Sequence, residues 1–406
     1  MVVIYMPMNS EVDVESEMQD VAREAVNLDG PFVPGIKRTD IEDVSEFSDF
    51  EYYAWERYYN HGKAPSTIKN YFCAVSKLEK FLKNSDKINC DPEDIGKRGA
   101  KEFKRWLAGE VGKDTTSKYI SELDKMAQFY LSDGYYPGNP FNGLTDTIET
   151  NSTRSKSSSF QTNERISVDD SRLRKAIRST HGSQKIVLLA MLIKTGVRIS
   201  EACNLDWEDV NINHSLADDL LPEPRFELSD YPDTIYIDCS KTEETYDTGS
   251  YGNKRKVDTR IPIDDELKRL LLWHALVRER RFDGENPVFM SHTYAKKKPF
   301  ERLGTMTAWA RVTKVAKEYG WHESGRNELE NVTPHWFRAK FSSHMSTQLE
   351  AASNSPESDF DADPMDVVKG LRGDVGDDVI EGYRLRERDF QEVIRARQFK
   401  IGLEGV

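Results

Sequence analysis

The sequence predicts a mainly α chain built as two helical domains, the second holding one small antiparallel β-sheet. Three observations carry this. Apolar residues recur at three- and four-residue steps from about 45 to 145 and again beyond 165. A polar, serine-rich stretch, "NSTRSKSSSFQTNE", separates the two regions and reads as a linker. Only "DTIYIDCSK" and "VDTRIPID" are rich in β-formers. With 406 residues, 37% of them hydrophobic, the chain has length for two or three domains and can bury real cores. The expected divisions are an acidic leader (1–44), a helical domain (45–147), the linker (148–164) and a larger domain (165–406).

The first domain is read from its apolar faces. "STIKNYFCAVSKLEKFL" places Ile68, Phe72, Val75, Leu78 and Leu82 on one side, with Pro65 and Ser66 as a helix start. "AKEFKRWLAGEV" offers Phe103, Trp106 and Leu107. "TTSKYISELDKMAQFYLSDG" offers Ile120, Leu123, Met126, Tyr130 and Leu131 and stops at Gly134. Lys69, Lys77, Lys80, Lys101, Lys104 and Lys118 occupy the opposite faces, where lysines are ordinarily just solvated. In the second domain, helices are expected near 170–179 and 184–195. The two β-rich segments form a hairpin with an unusually long tip. Helices follow at 264–281, capped by Asp264 or Asp265, and at 305–319. Another starts at Thr333, with Pro334 in the first position.

Composition narrows the function. No apolar run is long enough to span a bilayer, and the start shows no basic flank or small-residue cleavage site, so a soluble intracellular protein is expected. The cysteines Cys73, Cys90, Cys203 and Cys239 are scattered, which gives neither a zinc motif nor a disulfide framework. The net charge of −13 is concentrated at residues 1–60 and in "TQLEAASNSPESDFDADPMD" (347–366); the remainder is near neutral and can present a basic face. The acidic excess is also what a high-salt cytoplasm tolerates, since surplus charge is screened there. Growth of the source organism in low-salt medium would exclude that origin.

Four short motifs stand out. In "TGVRISEACNLDWEDV", Arg198 sits at a break marked by Gly196, with Glu201 three residues on. A guanidinium there always carries charge and needs partners. In "TPHWFRAKFSSHM", His335 and Arg338 share the face of a helix whose start already favours anions. Alone, this pair would be a surface histidine and a salt-bridged arginine. "LRGDVGDDVIEGYRLRERDF" holds glycine turns, a short helix ending near Tyr383, and Arg384, Arg386 and Arg388 behind it. A lone tyrosine in such a place is usually packing. As a nucleophile it would need neighbouring cations or a base. Cys203 and Trp207 read as core.

In this order the motifs resemble the tyrosine recombinase family, the phage-type integrases and Xer-like recombinases. "TGVRISEACNLDWEDV" is similar to the family's first arginine motif with its usual acidic residue. "HWFR" looks like its His-x-x-Arg box, and "LRGD" occupies the place of its Leu-Gly-His box. The resemblance covers roughly 165–395, and 45–145 is similar in size and character to the family's core-binding domain. It implies a SAM-like helical domain followed by the DNA breaking-rejoining fold. It also implies a metal- and ATP-free reaction through a 3′-phosphotyrosyl link, with no cofactor. Tyr383 would be the nucleophile, and Arg198 and Arg338 would hold the phosphate. His335 would assist, and a hairpin lysine would protonate the leaving 5′-oxygen. Lys241, ending "IYIDCSK", matches that lysine, although the long turn also holds Lys254 and Lys256. Glu201 is a further catalytic candidate, and Arg260 looks like a structural strand arginine. Asp374 departs from the family, which has His or Trp there. An ionised aspartate only accepts hydrogen bonds, so it repels a phosphate unless protonated or turned toward an arginine. It could orient Arg198, Arg338 or Tyr383.

The implied partner is double-stranded DNA, bound as a homotetramer on paired sites by a chain that is monomeric when free. The tail, 383–400, would pack on a neighbouring protomer. A nucleoid-associated protein of a mobile element is the implied setting. The rival reading is a non-catalytic DNA-binding protein that keeps the fold.

Overall fold

The computed structural model describes residues 49–59, 61, 65–85, 95–111, 113–145, 165–241, 252–278, 286–291, 302–324, 326, 328–355, 360, 362–374 and 390–403. The leader, the linker, Cys90 and Tyr383 with Arg384, Arg386 and Arg388 lie outside them. The chain divides into two compact units, Met1–Ser157 and Ser158–Val406.

The first unit holds helices α1 (Asp49–Tyr59), α2 (Pro65–Lys83), α3 (Lys97–Glu110) and α4 (Lys113–Ser132). They close over a core that includes Tyr53, Ile68, Tyr71, Leu78, Phe103, Leu107, Ile120 and Leu123. Each such burial contributes on the order of 2 kcal/mol. The buried stripe of α2 runs through Tyr71 rather than the expected Phe72, which flanks the core and packs on Tyr71 at 5.4 Å. The steps 68–71–75–78–82 hold one face, and the Tyr71 hydroxyl donates to Met126 Sδ at 3.2 Å. Likewise Trp106 and Leu131 lie only partly buried at the core's edge. Lys80, Lys101 and Lys118 are exposed as expected. Lys104 differs, since its Nζ donates to the Leu144 carbonyl at 2.7 Å and desolvation lowers its pKa.

The second unit is organised around α6 (Ser183–Thr195), which follows α5 (Asp170–Arg178). "SQKIVLLAMLIKT" is apolar on nearly every side, and such a helix belongs at the centre of a domain. Gly196 ends it in the left-handed region (φ 64°), where a Cβ would strike the Phe341 ring at 2.2 Å. Two constraints thus fix glycine two residues before Arg198. Helix α7 (Ile199–Cys203) follows, and Cys203 and Trp207 behind it are fully buried.

The sheet has three antiparallel strands in the order β1 (Val210–Asn211), β2 (Thr234–Ile237) and β3 (Thr259–Pro262), separated in the chain by α8 (Ser215–Leu220) between β1 and β2. The hairpin pairs Ile235 with Ile261 and Tyr236 with Arg260. The two-residue β1, paired through Val210 to Ile235, is too short to leave a period-2 signal in the sequence. Arg260 is structural as expected, donating from Nε to the Glu227 carbonyl at 2.9 Å and lying over the Tyr231 ring.

Helix α9 (Asp265–Val277) is capped by Asp264, whose carboxylate accepts from Leu267 N at 3.0 Å. Helices α10 (Thr305–Glu318) and α11 (Pro334–Ser353) follow. Thr333 takes the N-cap position of α11, but its hydroxyl does not bond the helix end. Helix α12 (Pro364–Arg372) begins inside the acidic stretch 347–366. Its start signals are local: the Asp363 carboxylate accepts from Met365 N and Asp366 N, and Pro364 is in the first turn.

Residues 390–397 are helical, and Phe390, Ile394, Phe399 and Ile401 are buried in this unit's own core. Fully buried Lys194 ties the tail down. Its Nζ meets Asp264 at 2.8 Å, Glu266 at 2.6 Å and the Phe399 carbonyl at 2.7 Å.

Candidate active site

Helix α7 starts with Arg198 in extended backbone, two residues beyond Gly196 at the tight α6 exit. Glu201 reaches back one turn and fixes it twice. Glu201 Oε2 accepts from Arg198 N at 2.8 Å, and Oε1 accepts from Arg198 Nη1 at 2.7 Å. Glu201 is fully buried. Burial alone would raise its pKa, but Arg255, Arg338 and Arg198 hold it down at about 2. The Nη2 of Arg198 remains for another anion.

Arg338 comes from the first turns of α11 and is buried. Its Nη1 donates to the Gly196 carbonyl at 2.5 Å, which locks it to the α6 exit, and its Nη2 donates to the Arg372 carbonyl at 2.8 Å. Burial lowers its pKa, and Arg198 and Arg372 add to that against Glu201 and Asp374, leaving it at about 9. His335, on the same helix start, is exposed at its edge. Partial desolvation lowers its pKa, and Arg338, Arg165 and Arg198 push the same way against Glu328. It is therefore a neutral imidazole at pH 7, able to donate from one nitrogen and accept at the other.

Asp374 stands where these arginines converge. Its Oδ1 accepts from Arg198 Nη2 at 2.6 Å and from Arg338 Nη2 at 2.9 Å. Its Oδ2 pairs with Arg372 Nη2 at 2.7 Å. Burial would raise its pKa, but Arg338, Arg372 and Arg198 lower it, so it is ionised at neutral pH. Behind this layer, buried Arg255 donates to Glu201 Oε2 at 3.0 Å and to the Leu371 carbonyl at 2.9 Å. Chemically, the arrangement is a rigid frame of guanidinium forks closed on one carboxylate.

Lys241 sits elsewhere, beyond the other end of α7. Its Nζ donates to the Asn204 carbonyl at 2.9 Å, Asp206 Oδ2 at 2.7 Å and Asp209 Oδ2 at 2.5 Å, which occupies all three ammonium protons. Burial would lower its pKa, but Asp209 and Asp206 raise it above the ordinary lysine value. Along the axis of α7, Asn204 lies roughly 9 Å from Arg198.

Comparison with known proteins gives this frame a context. Residues 46–150 match the family model of the phage integrase SAM-like domain. Over 159 residues the chain is 26% identical to the tyrosine recombinase XerA of Pyrococcus furiosus, covering 39% of this chain and 40% of that protein. The chain thus spans about two fifths of the length of that curated relative. Among solved structures, the Tn1549 transposon integrase in complex with a circular intermediate DNA superposes with a TM-score of 0.53 at 16% identity. That match covers 86% of this chain and 99% of the other. A lambda integrase dimer bound to a core site superposes with a TM-score of 0.50 at 16% identity, over 80% and 93%.

This chain shares its fold with the Tn1549 and lambda integrases.

Within this integrase fold, Arg198, Glu201, Arg338 and Asp374 are brought into direct contact, and His335 lies in the electrostatic field of two of them. Lys241 makes its contacts in a different cluster, and Tyr383 lies outside the described residues. Sequence reading missed Arg255 and Arg372. Arg255 is hidden inside the basic run "KRK" of the long hairpin turn, where nothing marks it off from exposed Lys254 and Lys256. Arg372 is the last residue of α12. The N-cap Asp363, Pro364 and Gly373 bracket that helix and would have placed Arg372 at its end.

Proposed function

We propose that the chain is a site-specific DNA recombinase that cuts and rejoins duplex DNA through a 3′-phosphotyrosyl intermediate, with no metal or ATP. Tyr383 supplies the nucleophile. Its oxygen attacks the phosphorus, the bond to the 5′-oxygen breaks, and that oxygen takes up a proton. A 5′-hydroxyl then reverses the step, and the covalent link conserves the bond energy. The observation that carries this reading is that Arg198 and Arg338 donate to one and the same anionic oxygen. Charge that builds on non-bridging phosphate oxygens needs preorganised planar donors of this kind. His335, neutral at pH 7, would hold the phosphate or move a proton beside them, and Glu201 would keep Arg198 in place. Lys241 remains the leaving-group acid expected from the sequence, on condition that its ammonium is released from Asp206 and Asp209.

The structural neighbours support DNA as the partner, since the Tn1549 integrase is bound to a circular intermediate DNA and a lambda integrase tetramer to a Holliday junction. In this reading the chain assembles as a tetramer on paired sites and is monomeric when free. Binding rests chiefly on phosphate contacts and weakens as salt rises. No helix among the described residues is long and apolar enough to cross a membrane. The test is a suicide duplex carrying the attachment sequence that flanks the gene. A covalent protein–DNA adduct should form with the wild type and vanish with Tyr383→Phe. Specific binding without any adduct would favour the non-catalytic alternative, which the carboxylate of Asp374 in the anion seat makes worth testing.

A further inference from the structure

Three guanidinium groups meet at the Asp374 carboxylate. Arg198 and Arg338 share Oδ1, and Arg372 Nη2 takes Oδ2. Both oxygens of one monoanion are therefore held, from three sides. A phosphodiester makes the same demand, with one negative charge spread over two non-bridging oxygens. Arg372 is fixed for this role by its backbone. It closes α12, and Gly373 follows in the left-handed region (φ 65°), where a Cβ would meet the Arg255 side chain at 2.8 Å. That turn folds Asp374 back, so that its N donates to the Lys369 carbonyl at 3.1 Å. The Arg372 carbonyl in turn accepts from Arg338.

Among the described residues, Arg198, Arg255, Arg338 and Arg372 face two carboxylates, Glu201 and Asp374. Of these, Glu201 is fully buried and wedged between Arg198 and Arg255, so it cannot leave without taking the frame apart. Asp374 is different. Its side chain is 28% exposed and lies at the open edge of the cluster. One anion is built in, and the other is exchangeable.

Resting on the recombinase reading above, we propose that Arg372 is a third phosphate-binding residue of this site, and that Asp374 is the internal anion that occupies the three-arginine seat until a phosphate replaces it. An internal competitor lowers apparent phosphate affinity by the fraction of molecules in which the seat is open. It also keeps three cations from stray anions before DNA arrives.

Inorganic phosphate titrated into the full chain by calorimetry is the direct test, because it needs no knowledge of the DNA site. Asp374→Asn, which keeps the shape and removes the charge, should bind phosphate about tenfold or more tightly than the wild type. Adding Arg372→Gln to that variant should remove the gain, and Arg372→Lys should restore part of it. The lysine variant also serves where the glutamine variant melts early. Affinity unchanged by Asp374→Asn, or a gain that survives Arg372→Gln, would overturn the proposal. A chain that passes these titrations but forms no Tyr383-linked adduct keeps the seat and loses the reaction, so the two failures are separable. A suicide duplex with methylphosphonate at the scissile position adds a readout a structural role would not move. There Arg372→Gln should cost less in cleavage rate than on the phosphate duplex, because one oxygen and its charge are already gone. An equal loss on both would leave Arg372 as structural support only.

Discussion

Two charge clusters flank the short helix α7 and differ in one respect. At its start, among the described residues, four arginines face two carboxylates. Past its end, Lys241, Arg225 and Arg302 face Asp206, Asp209 and Asp238. Both are largely buried, both use charged pairs at hydrogen-bonding distance, and both tie distant segments of chain together. The second is balanced and has the character of a structural lock. Among the described residues the first carries more positive than negative charge, and unneutralised buried charge is costly. Charge balance, more than residue type or burial, is what separates scaffold from site here.

The balanced cluster should show the largest effect on stability. Lys241→Ala leaves Asp206 and Asp209 facing each other with one cation fewer, and breaking a buried pair in this way costs about 3–5 kcal/mol. Urea midpoints at pH 7 should fall accordingly. The same variant tests the lysine's chemistry on a duplex whose leaving 5′-oxygen is replaced by sulfur, which departs without needing a proton because thiols are far more acidic than alcohols. A leaving-group acid would make the Lys241→Ala cleavage defect disappear on the sulfur duplex. A lock would leave it in place. Loss of cleavage with unchanged stability would break the distinction between the two clusters.

At the other end of α7, Glu201→Gln removes the built-in anion. The Glu201 pKa drops from 4.5 to about 2 on folding, a change that corresponds to about 3 kcal/mol of stability at pH 7. Because the folded value is the depressed one, this contribution is complete above about pH 4.5. It is lost as pH falls toward 2. The stability gap between wild type and Glu201→Gln should therefore close across that window when unfolding is followed by circular dichroism. A gap that stays constant with pH would mean that the variant loses packing rather than charge.

Spacing made part of this legible in the sequence. Arg198 and Glu201 lie three apart, as do His335 and Arg338, and Pro334 marks the helix that carries the second pair. The hairpin and most helices follow from apolar periodicity and end signals, because local rules govern them. What escaped reading depends on contacts far apart in sequence. Nothing local to "KRK" says that Arg255 is buried against Glu201 while its neighbours are exposed. Nothing local to "DWED" says that Asp206 and Asp209 will take up two of the three protons of Lys241. Nothing local to the tail's basic run says that Phe390, Ile394 and Phe399 are buried on their own domain.

The smallest expected effects on stability are at Lys254 and Lys256, and they bear most directly on the missing proton donor. Both are exposed on either side of buried Arg255, so they are carried by a fixed point while their ammonium groups face solvent. Replacing either with alanine should change stability by less than about 0.5 kcal/mol, as is usual for a surface position. If Lys241 acts only as a lock, one of these two lysines of the same hairpin turn would have to protonate the leaving oxygen. In that case one alanine variant should lose adduct formation on the oxygen duplex, recover it on the sulfur duplex, and melt like the wild type. If both variants cleave normally, the donor returns to Lys241, and the balanced cluster must then open during the reaction to release it.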